Sequence, residues 1–435
     1  MSWKPLFAFL ANYIHIFLQA NDPGSHSLHE KTPRNHFRPL GFTFSFTVHQ
    51  TSINTGTLVR WDKGFDIPSA IGRDPCRMLQ EGLDALGAPV LVSALVNDSV
   101  ATYMAQQYVC GGRAVLGGIF GTGTNGAYLE DMAAIGKIQS SRGTTSPSSV
   151  VINTEWGGFD DDDDARLLPV TQYDIDLDQS SLHPGEQRYE KMLSGMYLGE
   201  LFRRAVLSAY EDTSQRPGGN ANSPIFRPWQ VPTSLLSLLA EDSSESHTQS
   251  REALGTALEL GSLTAEEVQG MRQIAAAISK RAARLAGIAI SAVILKTGVL
   301  HALPPPQELP AVKPKTLEPK TGPGNGVGIL SFTQMYSLLS AFAQRPWPSL
   351  QRCIYWKRDV SPEKDGSKPD ETPIYVGLDG TLAAASPGFV SGIRGTFRDL
   401  AGIGEEGDQR IRINLLRDGS SIGTALVAQA AASGQ

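Results

Sequence analysis

Cysteine is scarce: three in 435 residues, and Cys76, Cys110 and Cys353 stand too far apart for a Cys-x-x-Cys or a Cys/His cluster. That argues against both a disulfide framework and a zinc site. Basic charge is not in excess either. With a formal net charge of -6 and a pI near 5.8, the chain lacks the footprint of a protein that binds nucleic acid directly. Nor is there a long apolar run. The stretch Leu6–Leu18 is interrupted by Asn12 and His15 and falls short of the roughly 20 residues a membrane span needs. Lys4 precedes it as in a signal peptide, but no small-x-small cleavage site follows, so a buried helix is expected. His26, His29 and His36 lack ligand spacing, and no metal site is expected.

What is present is enough apolar sequence, 41%, for a large core, in a chain long enough to divide into two lobes. Phe42, Phe44 and Phe46 alternate with Thr43 and Ser45, the period-2 pattern of a half-buried strand with Ser45 on the other face. Asp74-Pro75 opens a helix to Leu86 that Gly87 stops. Val90–Val96 reads as a strand that ends on Asn97-Asp98, either a helix cap or a polar pair at a cleft. Ala114–Phe120 is a second strand, ending on Gly121-Thr122-Gly123, whose backbone N–H groups can approach a phosphate as closely as any tight turn allows. Both polar turns are expected at one edge of one sheet. The acidic run Asp160–Asp164 reads as a solvated loop. Helices are expected over Leu193–Tyr210 and, from the capping box Thr264-Ala265-Glu266-Glu267, through Val293. The proline- and lysine-rich stretches near 303–326 and 357–373 read as exposed insertions.

Taken together, Leu40-Gly41-Phe42-Thr43-Phe44-Ser45-Phe46, Arg60-Trp61-Asp62-Lys63-Gly64-Phe65, Asn97-Asp98, Gly121-Thr122-Gly123-Thr124-Asn125-Gly126, Asn153-Thr154-Glu155-Trp156-Gly157 and Pro184-Gly185-Glu186-Gln187-Arg188-Tyr189-Glu190 resemble the hexokinase/glucokinase family in order and spacing. The resemblance implies an α/β, two-lobed, actin-like ATPase (ribonuclease H-like) fold. It implies a smaller lobe over residues 1–97, with first strands missing, a larger lobe over 98–423 and a shortened closing helix over 424–435. It also implies ATP-dependent phosphorylation of a glucose-type hexose at its 6-hydroxyl, feeding glycolysis in the cytoplasm, with Mg²⁺ as cofactor. Asp98 matches the catalytic base. Ser45, Lys63, Asn97, Asn125, Glu155, Gln187 and Glu190 match sugar-binding positions, a chemistry that suits amides and carboxylates facing a polyol. Gly121, Thr122, Gly123, Gly380, Gly419 and Ser420 match the nucleotide side.

Three departures lead to an expectation of weak sugar binding and slow turnover. No segment before Leu40 resembles the family's phosphate-binding hairpin. Asp62 replaces a threonine and adds a like charge to the cleft, a cost on the order of 1 to 3 kcal/mol. Ser421 replaces a glycine in the turn before the last helix, which is unfavourable if that position needs φ > 0. A non-catalytic sugar-sensing member with a regulatory protein partner is the alternative.

Overall fold

The computed structural model describes residues 2–21, 37–61, 64–136, 149–161, 167–211, 222–300 and 372–433. Lys63 and Asp62, the three N-terminal histidines, Cys353, Asp162–Asp164 and nearly all of the two proline- and lysine-rich stretches lie outside those residues.

Helix α1 (Lys4–Asn21) and helix α2 (Pro75–Ala85) cover one side of a small β-layer. In α2, Asp74 caps the N-terminus by accepting from the Cys76 and Arg77 amides at 2.8 and 3.3 Å, which satisfies two otherwise orphaned donors. Gly87, at φ 64°, ends the helix in the left-handed conformation that glycine adopts without a Cβ penalty. Strand β1 (Arg38–Thr43) pairs in parallel with strand β4 (Val90–Val96), and strands β2 (Thr47–Ser52) and β3 (Thr55–Arg60) form a separate hairpin. The expected strand over Phe42–Phe46 therefore stops at Thr43. One further bond, Phe44 N–H to the Val96 carbonyl at 3.0 Å, carries the chain on until Ser45 turns to accept from the Asp98 amide. All three phenylalanines still face one way, joining Phe7, Leu58, Leu79 and Leu83 in a single core. Each such side chain contributes roughly 1.5–3 kcal/mol when fully buried.

A second core surrounds a five-stranded sheet ordered β7-β6-β5-β8-β9. Its strands are β5 (Ala114–Phe120), β6 (Thr124–Asp131), β7 (Ser149–Asn153), β8 (Ile374–Asp379) and β9 (Ile411–Leu415). Strands β5, β8 and β9 run parallel, whereas β6 and β7 are antiparallel. The long helix α9 (Ala265–Thr297), opened by the expected Thr264/Glu267 capping box, buries Ala282, Leu285, Ala286 and Ile290 in this core. Between α3 (Asp98–Val109) and α9 lie α4 (Gln172–Gln179), α5 (Arg188–Leu193), α6 (Gly195–Glu211), α7 (Ser234–Glu241) and α8 (Thr248–Leu258). The helix expected over Leu193–Tyr210 is α6, beginning two residues later, and the short α5 before it, ended at Ser194, carries Glu190.

Two expectations need correction. The Asn97-Asp98 and Gly121–Gly123 turns do not leave one sheet: β4 belongs to the two-stranded pair and β5 to the five-stranded sheet. They are brought together by helix α3 (Asp98–Val109), which leaves β4 and lies so close on β5 that a Cβ on Gly117 would stand 2.3 Å from the Tyr103 amide. The acidic run is not wholly solvated, either. Asp160 is buried and accepts from the Leu167 and Leu168 amides, and Asp161 accepts from the Gln187 and Arg188 amides at 2.8 and 2.9 Å.

The last helix packs across α3 and against β1 and β4. Following α10 (Thr381–Ala385), α11 (Pro387–Asp399) and α12 (Gly404–Arg410), it is α13 (Gly419–Ser433), so it starts earlier than the Thr424 expected. Ser421 is an exposed residue in its first turn, and the left-handed residue is Asp418, at φ 56°. A side chain at Ser421 therefore meets no backbone penalty, and the cost expected of a serine there does not arise. Among the described residues no helix is long and apolar enough to cross a membrane.

Candidate active site

The site begins where β4 hands over to α3. Asn97 is the N-cap, its Oδ1 accepting from the Ser99 amide and hydroxyl at 2.9 and 2.6 Å. Asp98 is the first helical residue. Its amide donates to Ser45 Oγ at 3.1 Å, and its Oδ1 accepts from the Ser99 amide at 2.8 Å. Cap and cleft residue are thus the same pair, because a cap uses only one side-chain oxygen. The Asn97 Nδ2 group and Asp98 Oδ2 have no protein partner among the described residues. Both side chains are half-buried.

From Ser99 the network crosses to the five-stranded sheet. Its hydroxyl lies 3.0 Å from Asn153 Oδ1, which also accepts from Asn125 Nδ2 at 2.8 Å. Asn125 Nδ2 and Asn153 Nδ2 converge on one oxygen of Glu155, Oε1, at 3.0 and 2.6 Å. That leaves Glu155 Oε2 without a protein partner among the described residues. Asn125 Oδ1 accepts in turn from the amides of Gly126 and Glu155. Trp156 locks the turn: its ring lies where a Cβ on Gly126 would be, it stacks on Phe120, and its Nε1 donates to Thr124 Oγ1 at 2.9 Å.

Glu190 arrives from α5. Its Oε2 accepts from the Thr124 amide at 2.8 Å and stands 2.5 Å from where a Gly123 Cβ would be. One carboxylate therefore supports the glycine turn and faces the Asn125 side. Beside it, burial, with the Glu190 and Asp178 charges adding to it, pushes the Tyr197 phenol up to about 12, so it stays protonated. Gln187 packs its amide against Gly157 and Gly158. Glu155 and Gln187 are both left-handed, at φ 48° and 57°, a conformation that costs a non-glycine residue of order 1 kcal/mol and tends to persist at functional sites.

The glycine turns meet on the far side of β5. The Gly121 and Thr122 carbonyls accept from the first amides of α6, Gly195 and Met196, at 2.7 and 3.1 Å. This leaves the Thr122 and Gly123 amides without a partner among the described residues. Gly380, at φ 103°, passes so close that a Cβ would stand 2.4 Å from the Phe120 carbonyl oxygen. Asp379 then joins two segments: Oδ1 accepts from the Gly380 amide at 2.7 Å and Oδ2 from the Ser420 amide at 3.2 Å, at the start of α13 beside Gly419. Nearby, Leu198, Thr233, Ser237, Leu382, Ser386 and Phe389 line a small cavity.

Of the residues expected at a sugar site, Ser45, Asn97, Asp98, Asn125, Glu155, Gln187 and Glu190 lie among the described residues and are brought together, and the residues expected on the nucleotide side adjoin them. Lys63 lies outside the described residues. The sequence reading missed Asn153, Ser99, Asp161 and Asp379. Asn153 and Asp379 end strands, as Asn97-Asp98 nearly does, and that shared position was the available signal. No group of His, Cys, Asp or Glu among the described residues could hold a metal ion alone.

A two-lobed α/β architecture with amide and carboxylate side chains gathered beside glycine turns defines a class, and comparison with known proteins agrees. Two family models, both described as hexokinase, match residues 2–108 and 115–430. The chain belongs to the hexokinase family of sugar kinases. It is 36% identical to a glucokinase of Aspergillus niger, over 98% of this chain and 76% of that one. It is 31% identical to a putative glucokinase-2 of Saccharomyces cerevisiae, over 98% of this chain and 74% of that one. Among solved structures it resembles a hexokinase from Schistosoma mansoni complexed with glucose, with a TM-score of 0.69 and 28% identity over 99% of this chain and 76% of that one.

Proposed function

We propose that the chain transfers a phosphoryl group from ATP to the 6-hydroxyl of a glucose-type hexose, with Asp98 as general base, in cytoplasmic glycolysis. The observation that carries this reading is the continuous hydrogen-bonded path from Ser45 and Asp98 through Ser99, Asn153 and Asn125 to Glu155, with Glu190 linking it to the glycine turn. Asn97 Nδ2 is a donor to a sugar oxygen, and Glu155 Oε2 accepts from a sugar hydroxyl. Asp98 Oδ2 takes the proton of the attacking hydroxyl. Ser45, Gln187 and Lys63 complete the sugar cradle.

On the donor side, Gly121, Thr122, Gly123, Gly380, Gly419 and Ser420 fit a polyphosphate. The Thr122 and Gly123 amides, without a partner among the described residues, are the donors open to it, whereas the Gly121 amide is bonded to the Gly123 carbonyl and the Gly380 and Ser420 amides to Asp379; α13 points its N-terminus at the same place. Mg²⁺, when bound with the nucleotide, neutralises phosphate charge. On this reading the lobes divide near residues 97 and 98.

A coupled assay of glucose phosphorylation by ATP, run beside a glucose titration, tests the proposal. Asp98→Ala should lower turnover by about 10²–10⁴-fold and leave glucose bound. A folded chain that binds glucose without turnover would instead support the sugar-sensing reading.

A further inference from the structure

Asn153 is absent from the set of sugar-binding residues, yet its amide is the junction of their network. Its Oδ1 accepts from Asn125 Nδ2 at 2.8 Å and lies 3.0 Å from Ser99 Oγ, whose one proton it shares with Asn97 Oδ1, and its Nδ2 donates to Glu155 Oε1 at 2.6 Å. Those three partners come from separate segments: the first turn of α3 beside Asp98, the start of β6, and the left-handed turn after β7. Asn153 itself ends β7, paired with Ala127, so its backbone is held by the sheet.

We propose that Asn153 is a positioning residue that sets the spacing between the Asn97-Asp98 end of the site and the Asn125–Glu155 end, and that it fixes which Glu155 oxygen is offered to a hexose. This rests on the sugar-site reading above. The argument is one of donors and acceptors. Glu155 Oε1 accepts two amide N–H groups, so the carboxylate cannot rotate without giving up both bonds, and Oε2 stays directed away from the protein. The left-handed Glu155 backbone costs energy, and these bonds, with the Glu155 amide bond to Asn125 Oδ1 at 3.0 Å, hold it there. An amide alone among side chains of this size can accept from two donors and donate to a carboxylate at once. Aspartate lacks the donor, and serine lacks the reach.

Asn153→Asp and Asn153→Ala, made in the full chain, test this by glucose and ATP titrations at several pH values, with thermal unfolding as the check on folding. In Asn153→Asp a carboxylate would face Glu155 at hydrogen-bond distance. Like charges so close raise one pKa, so the pair binds a proton as pH falls and the hydrogen bond returns. The other acids near it are Asp98, through Ser99 from α3, and Glu190, through Thr124 from α5. Both are also present in the wild type and in Asn153→Ala, which serve as controls. The expected result is a glucose Kd raised by about tenfold or more in both variants, equivalent to about 1.4 kcal/mol, with ATP affinity unchanged. Affinity should recover from pH 8 to pH 6 in Asn153→Asp only. Wild-type glucose affinity in both variants overturns the inference. So does a parallel loss of glucose and ATP affinity, or a loss in Asn153→Asp that ignores pH. A folded wild-type chain that binds no hexose overturns the sugar-site reading on which the inference stands.

Discussion

Gly123 shows how little room separates the two halves of the site. A methyl group there would stand 2.5 Å from Glu190 Oε2, closer than any real contact, so Gly123→Ala must push the carboxylate off the Thr124 amide or move the turn. Either movement disturbs both substrates. The expected outcome is a higher KM for glucose and for ATP together, with thermal stability lowered by roughly 1–3 kcal/mol from overpacking; steady-state kinetics and calorimetry check it. A variant that raises one KM alone would show that the glycine turn and Glu190 act independently. Asn125, Glu155 and Glu190 were legible as polar residues in motifs of known spacing. That Glu190 also supports the turn was not, because α5 and β6 meet only in the folded chain.

Helix α13 carries a similar constraint over a longer interface. Gly423 faces the Ala101 carbonyl so closely that a Cβ would stand 1.7 Å from the oxygen, and the Gly41 position approaches Thr424 almost as closely. Thr43 and Thr424 hydroxyls meet at 2.7 Å, and Ala428 is buried with Ala94, Val96 and Ala101. Small residues let α13 lie on α3 and β1, and this places Gly419 and Ser420 at the end of β8. Gly423→Val should tilt the helix away, lower stability by about 1–3 kcal/mol and weaken ATP binding more than glucose binding. Equal weakening of both ligands would argue against that path. The glycines near the end of the chain were readable as a turn; their use as a packing surface was not, since glycine leaves no side-chain pattern.

Ion pairs tie the helices of the larger core into one body. Arg281 of α9 makes a bidentate contact with Asp174 of α4, at 2.7 and 2.8 Å, and the same carboxylate closes the Thr171 capping box. Burial would raise the Asp174 pKa, but the Arg281 charge and the hydrogen bonds from Arg281 and Thr171 outweigh it and hold the carboxyl below its ordinary value. A depressed folded pKa contributes stability above the unfolded value of about 3.9, and that stability is lost as pH falls through the folded value. Asp174→Asn should therefore cost about 3–5 kcal/mol near pH 7, where Arg281 is left buried and unpaired. The difference from wild type should narrow below about pH 4. Urea unfolding as a function of pH measures both; a pH-independent difference would mean that the packing of α4, not the charge, carries the cost.

Local chemistry determined a good deal in advance. Period-2 and helical patterns, the Asp74 and Thr264 caps and the Gly87 stop mark where most elements begin and end, since these signals act between residues near in sequence. The motifs also marked the candidate site residues. Tertiary structure alone decided that β4 and β5 lie in different sheets bridged by α3, that Ser421 is helical while Asp418 takes the left-handed turn, and that Asp160 and Asp161 turn inward. It also decided that Asn153 and Asp379 serve as junctions. Most of these depend on a partner tens of residues away or more, and a side chain's donors and acceptors acquire a role only when folding puts that partner within about 3 Å.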